Sequence, residues 1–208
     1  MKFVNNQSNA KRRGFTLIEM IGVLAIIAVL AGLLLPRIFE AMNDSRINSA
    51  AMGYNSVKTA AMGYFGKYGR FGDATGVAIA DVAAAPDWGK VLLSSGFLDK
   101  PFSTKIGSTA SLVEIKAATT AATAVTGANT SYNFDDTGTA NSIKGATLVI
   151  QVHLKGVDLA DAQALSRRLD GDELSDLSAT PATADLEGKV KYDFATTVGD
   201  VLLYVAHK

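Results

Sequence analysis

The stretch K-R-R-G-F-T-L-I-E occupies residues 11–19, and M-I-G-V-L-A-I-I-A-V-L-A-G-L-L-L continues it over residues 20–35. A short cationic segment thus abuts an apolar run whose one acid is Glu19. As a helix, residues 15–35 reach about 32 Å at about 1.5 Å per residue, which matches a hydrocarbon core of about 30 Å. Lys11, Arg12 and Arg13 precede the run, so the positive-inside rule keeps that end in the cytoplasm and exports the bulk of the chain. A secretory signal peptide fits poorly. The apolar run is too long for an ordinary h-region, and Leu34, Leu35, Pro36 and Arg37 stand where an A-x-A-like cleavage site belongs. An uncleaved single-span anchor is the plain alternative.

Glu19 separates these readings. An acid at the centre of a membrane helix costs roughly 2.5–3.5 kcal/mol, less near the end of the span, and a simple anchor has no use for it. A snorkelling carboxylate is one explanation. Another is a cation supplied by the chain itself. Cleavage between Gly14 and Phe15 creates an amine at i−4 of Glu19, on the same helical face. At about 4 Å and an effective dielectric near 20 the two charges attract by about 4 kcal/mol before desolvation. Within one subunit the pair neutralises itself; between subunits it sets an axial register.

The segment G-F-T-L-I-E at 14–19, preceded by K-R-R, resembles the prepilin peptidase site of type IV pilins and their relatives, the type II secretion pseudopilins and competence pilins. The resemblance is close over residues 11–36 and extends to the following helix by pattern. It implies cleavage after Gly14, N-methylation of Phe15, and contact of Glu19 with a neighbouring N-terminus during assembly. Pro36 falls where many members carry a helix-bending proline. Ala28 departs from the pattern, standing where many members have a glycine, with Gly32 nearby. The implied fold is α+β and pilin-like: a long N-terminal helix whose protruding half crosses the membrane, packed on an antiparallel β-sheet head. The implied partners are further copies of the chain, a prepilin peptidase/methyltransferase, an inner-membrane assembly platform and minor pilins. The precursor then resides in the inner membrane with its head outside the cytoplasm, and the assembled form is an extracellular filament serving adhesion, motility or DNA uptake. A pseudopilin of a type II secretion system and a minor tip pilin acting as a binding module are the alternatives.

On this reading residues 1–14 are a cleaved cationic leader, 15–36 the membrane and filament-core half of the helix, 37–68 its amphipathic half, and 69–208 the head. Ile47, Ala50, Tyr54, Val57, Ala61, Tyr64 and Tyr68 recur in steps of three and four, an apolar stripe. Asn48, Asn55, Ser56 and Lys58 lie opposite it. Gly66 and Gly69 favour termination. Pro36 lacks an N–H and loosens the preceding turn. Tyr54, Tyr64, Phe65, Tyr68 and Phe71 form an aromatic group that reads as packing against the head.

In the head, residues 69–110 read as mostly connecting structure, with a short helix in 86–96 that stops at Gly96 and turns Trp88, Val91 and Leu92 to the sheet. Strands are expected at Ser111–Ala117, Tyr132–Asp135, Ala146–Leu154, Lys189–Phe194 and Val201–Ala206. Residues 158–169 read as a helix capped by Asp158 and stopped by Gly171. The Ala/Thr-rich segment 117–130 reads as a surface loop.

Composition narrows the function. The chain has 20 basic and 20 acidic residues, and the leader holds four of the basic ones, Lys2, Lys11, Arg12 and Arg13. The remainder, with 16 basic and 20 acidic residues, has a formal charge of −4 and no clustered basic surface for nucleic acid. The absence of cysteine excludes a disulfide and thiolate metal ligands. No cofactor is expected. Asp170, Asp172 and Glu173 are a weak candidate for seating Ca²⁺, with a helix-ending turn the better reading. His153 and His207 stand in no metal spacing, no nucleophile motif is present, and the sequence does not read as an enzyme.

Overall fold

A computed structural model describes residues 14–72, 87–108, 110–118, 126, 129–134, 141–172, 174, 184–194 and 197–208. The chain divides into two compact units, Met1–Asn43 and Asp44–Lys208. Helix α1, Leu17–Tyr68, is continuous through the boundary and contains Pro36. The leader residues Lys11, Arg12 and Arg13 lie outside the described residues.

In the first unit every described residue is exposed, including Leu17, Ile18, Leu24, Ile26, Val29, Leu33 and Leu35. Residues 20–35 of α1 are apolar on all sides, and the helix is long and apolar enough to cross a membrane. A helix of that kind needs lipid or other helices around it.

The second unit is α+β. Its part of α1 buries Ile47, Ala50, Ala51, Tyr54, Val57, Ala60, Ala61 and Tyr64, the expected stripe widened by two alanines, while its last member, Tyr68, is half-buried. Those side chains join one core with Ile115, Ile150, Val152 and Leu203 of the sheet. Gly69 ends the helix with φ +65°, a conformation that favours glycine. Helix α2, Trp88–Ser94, is capped by Asp87, whose carboxylate accepts the Gly89 N–H at 3.1 Å. Strand β1, Leu112–Ala117, and β2, Leu148–Asp158, run antiparallel, and β2 passes directly into α3, Leu159–Asp170. Short β3, Ala184–Asp185, then β4, Val190–Asp193, and β5, Val198–His207, complete the sheet. Among the described residues the strand order is β1-β2-β5-β4-β3, with every pairing antiparallel.

Two elements differ from expectation. The segment expected as a strand at Tyr132–Asp135 forms one isolated parallel bridge, Asn133 to Glu187, and Asp135 lies outside the described residues. Its backbone finds partners outside any ladder: Asn141 Oδ1 accepts the Tyr132 N–H at 3.4 Å, and Ser142 Oγ accepts that of Phe134 at 3.1 Å. Tyr132, Ile143 and Val149 form a second small core there. The other difference is length. β2 runs on to Asp158 and β5 starts at Val198, because the pairing resumes beyond a bulge between Leu154 and Val157. The end of the expected surface loop is also covered: Thr130 is buried and donates its hydroxyl to the Ala117 carbonyl at 3.1 Å.

Candidate functional site

The candidate processing segment begins where the chain has not yet entered the helix. Gly14, Phe15 and Thr16 are non-helical and exposed, and Phe15 keeps 82% of its surface open. A peptide bond with no helical hydrogen bonds and no covering side chain is one a peptidase can bind in extended form. The first helical bond of α1 runs from the Met20 N–H to the Thr16 carbonyl at 3.2 Å.

Thr16 and Glu19 cap the helix reciprocally. The Thr16 N–H donates to Glu19 Oε2 at 2.8 Å, and Thr16 Oγ1 accepts the Glu19 N–H at 3.3 Å. The Thr16 hydroxyl also donates to Glu19 Oε2 at 2.8 Å. This is a capping box, in which two otherwise orphaned N–H groups are satisfied and an anion stands at the positive end of the helix dipole. The pattern T-L-I-E carries it in the sequence, where Glu19 drew attention to itself and Thr16 did not. Phe15 precedes the cap and is off the helix in this uncleaved form.

Further along, Pro36 has no N–H to offer the carbonyl four residues back, that of Gly32. The helix therefore lacks one of its regular bonds at the Gly32 carbonyl, in its apolar part, a local weak point. Ala28, by contrast, is an ordinary helical residue.

In the head, Asp170, one of the three residues considered for a cation, is engaged by other partners. Asp170 has no exposed side-chain surface. Its Oδ2 accepts the N–H groups of Lys189 at 2.9 Å and Val190 at 2.7 Å, and its Oδ1 lies 3.2 Å from the Lys189 ammonium. Asp172 is exposed after the helix-ending Gly171, and Glu173 lies outside the described residues. Among the described residues no group of three or more His, Cys, Asp or Glu is disposed to hold a metal ion. Asp170 thus fastens the end of α3 to the start of β4, in a fold whose sequence offers no cysteine for a disulfide.

Two further polar clusters were not legible in the sequence. Lys191 is fully buried on β4, and its ammonium donates to the Asn129 carbonyl, to Asn129 Oδ1 at 3.2 Å and to the Ser131 carbonyl at 2.7 Å. The Tyr132 ring lies 4.4 Å from the same nitrogen. Burial pushes the Lys191 ammonium down to about 7. The second cluster crosses the sheet. Tyr132 donates to Gln151 Oε1 at 2.7 Å, and Gln151 Nε2 donates to Glu114 Oε1 at 2.6 Å. His153 stands between Glu114, 3.5 Å away, and Asp200, 2.9 Å away. Burial alone would raise the Glu114 carboxyl, but hydrogen bonds with His153 and Gln151, aided by the Lys116 charge, bring it down to about 2.

Residues 9–35 match the prokaryotic N-terminal methylation motif. No match was found among curated proteins. The chain therefore carries the prepilin-type signal of type IV pilins and pseudopilins, joined to a long helix packed on an antiparallel sheet in the α+β arrangement of pilins. The motif supports a pilin- or pseudopilin-like substrate of prepilin peptidase, and with the apolar helix behind it suggests a membrane-anchored precursor.

Proposed function

We propose that the chain is a structural subunit of a type IV pilus. The precursor waits in the inner membrane with its head outside the cytoplasm. Prepilin peptidase cuts after Gly14 and methylates the new N-terminus at Phe15. The assembly platform then moves the apolar half of α1 from lipid into a bundle of identical helices, and a head-to-tail, non-closing contact yields a helical fibre. The observation that carries this reading is the first unit itself: residues 17–35, which lie within the methylation motif, are apolar apart from Glu19 and all exposed.

Glu19 has a place in both states. In the precursor its carboxylate is held by Thr16. After cleavage the ammonium of Phe15 appears one residue before that cap, and the carboxylate of the same or a neighbouring subunit receives it.

The test combines mass spectrometry with imaging. Sheared surface filaments of the host should contain this polypeptide starting at an N-methylated Phe15. A mature chain beginning at any other residue overturns the processing claim. Correctly processed protein that forms only short periplasmic assemblies would instead indicate a pseudopilin.

A further inference from the structure

His153 lies on β2 between two carboxylates that belong to different strands. Its Nε2 is 2.9 Å from Asp200 Oδ2 of β5, and its Nδ1 is 3.5 Å from Glu114 Oε1 of β1. Both ring nitrogens therefore face an acceptor. Only the imidazolium has two N–H groups; a neutral ring has one and must turn a lone pair toward the other carboxylate. The charged ring joins β1 to β5 across β2, and the neutral ring can serve one of them.

Asp200 has a second duty. Its Oδ1 accepts the Gly156 N–H at 3.2 Å. Gly156, with φ +63°, forms the bulge that interrupts the β2–β5 register. The adjacent Lys155 carbonyl accepts the Ser108 N–H at 2.6 Å, and the Lys155 N–H donates to Ser111 Oγ at 3.1 Å. The bulge is thus a hub tied to Ser108 and Ser111 on one side and to β5 on the other.

Other charges face this group. Lys116 of β1 lies 3.2 Å from the same Glu114 oxygen, and Gln151 donates to it as well, so Glu114 stays ionised. Lys155 is two positions along β2. Lys191 lies on β4 across Leu202 of β5, and its ammonium is turned to Asn129 and Ser131.

We propose that His153 is a proton-operated clasp, which holds β1, the β2 bulge and the start of β5 together when its ring is charged and cuts the β1–β5 tie when it is neutral. Burial of the ring works against the charge, but Glu114 and Asp200 outweigh it and raise the His153 pKa above its ordinary 6.5. A raised value means that the stabilisation is complete below pH 6.5 and drains away as pH rises through the folded-state pKa.

The test uses the full chain in detergent micelles, with nuclear magnetic resonance titration of its two histidines, His153 and His207. A His207→Gln variant assigns the signals. His153 should titrate above 6.5, and Asp200→Asn and Glu114→Gln should each lower its midpoint. Amide exchange, corrected for the intrinsic rate, should show protection of residues 112–117 and 155–157 falling severalfold through that titration. His153→Gln should remove this pH dependence. A wild-type midpoint at or below 6.5, or protection that does not change with pH, overturns the clasp without touching the processing claim. The same pH dependence persisting in His153→Gln also overturns it.

Discussion

At Lys191 a side chain with no exposed surface places its ammonium against carbonyl oxygens of Asn129 and Ser131 and the face of Tyr132. The alternation of K-V-K-Y-D places this lysine on a strand, but on the face one would leave in water. What covers it is the 129–134 segment, whose sequence looks like loop or strand and whose role depends on distant contacts. Replacing Lys191 by Met keeps the length of the side chain and removes the donor. The carbonyls of buried Ser131 and half-buried Asn129 are then left with one partner fewer, so the head should lose about 2 kcal/mol, within the range for stranding buried polar groups. Thermal denaturation reads this, and a raised melting temperature would show that the burial cost of the charge dominates. At the other end of the chain, Glu19→Ala should leave cleavage after Gly14 intact and abolish most filament formation. Immunoblots for the processed form and counts of surface fibres check both halves. Glu19 was legible because an acid inside an apolar run demands a cation; Thr16 was missed although T-x-x-E spelled its cap.

Helices announced themselves in the sequence far better than strands did. The stripe in α1 repeats at helical spacing over six turns, and α2 and α3 carry their own stop signals at Gly96 and Gly171. The strands were harder because their ends are set by non-local contacts. β2 outlasts its alternating pattern because Gly156 permits a bulge, and β3 consists of two residues paired to β4. Tyr64 is the deepest point of the α1–head contact. It has no exposed surface, and its ring meets Tyr68, Trp88 and Phe97 at centroid distances of 4.7, 5.3 and 5.6 Å. Tyr64→Ala should therefore cost about 3–5 kcal/mol, the range for emptying an aromatic site in a core. Chemical denaturation followed by Trp88 fluorescence measures it, and a cost below about 1 kcal/mol would mean that the helix is held elsewhere.

For the molecule as a whole, pH acts through named groups. Glu114 is held at about 2 in the fold against 4.5 ordinarily, so its contribution is complete above pH 4.5 and is lost as pH falls toward 2. The stability difference between wild type and Glu114→Gln should therefore shrink below pH 4.5, and because Glu114 also holds the charge on His153 it should shrink again as pH rises through the His153 titration. Circular dichroism melts at a series of pH values give that curve, and a difference that is flat down to pH 2 would remove Glu114 from the account. The topology has its own consequence. β5 follows every other strand along the chain, yet it is the one that joins β2 to β4. While a ribosome is still making residues 198–207, the ladder consists of two severed halves, so a polypeptide halted before that point gives protein-quality proteases an open substrate, not a smaller version of the head.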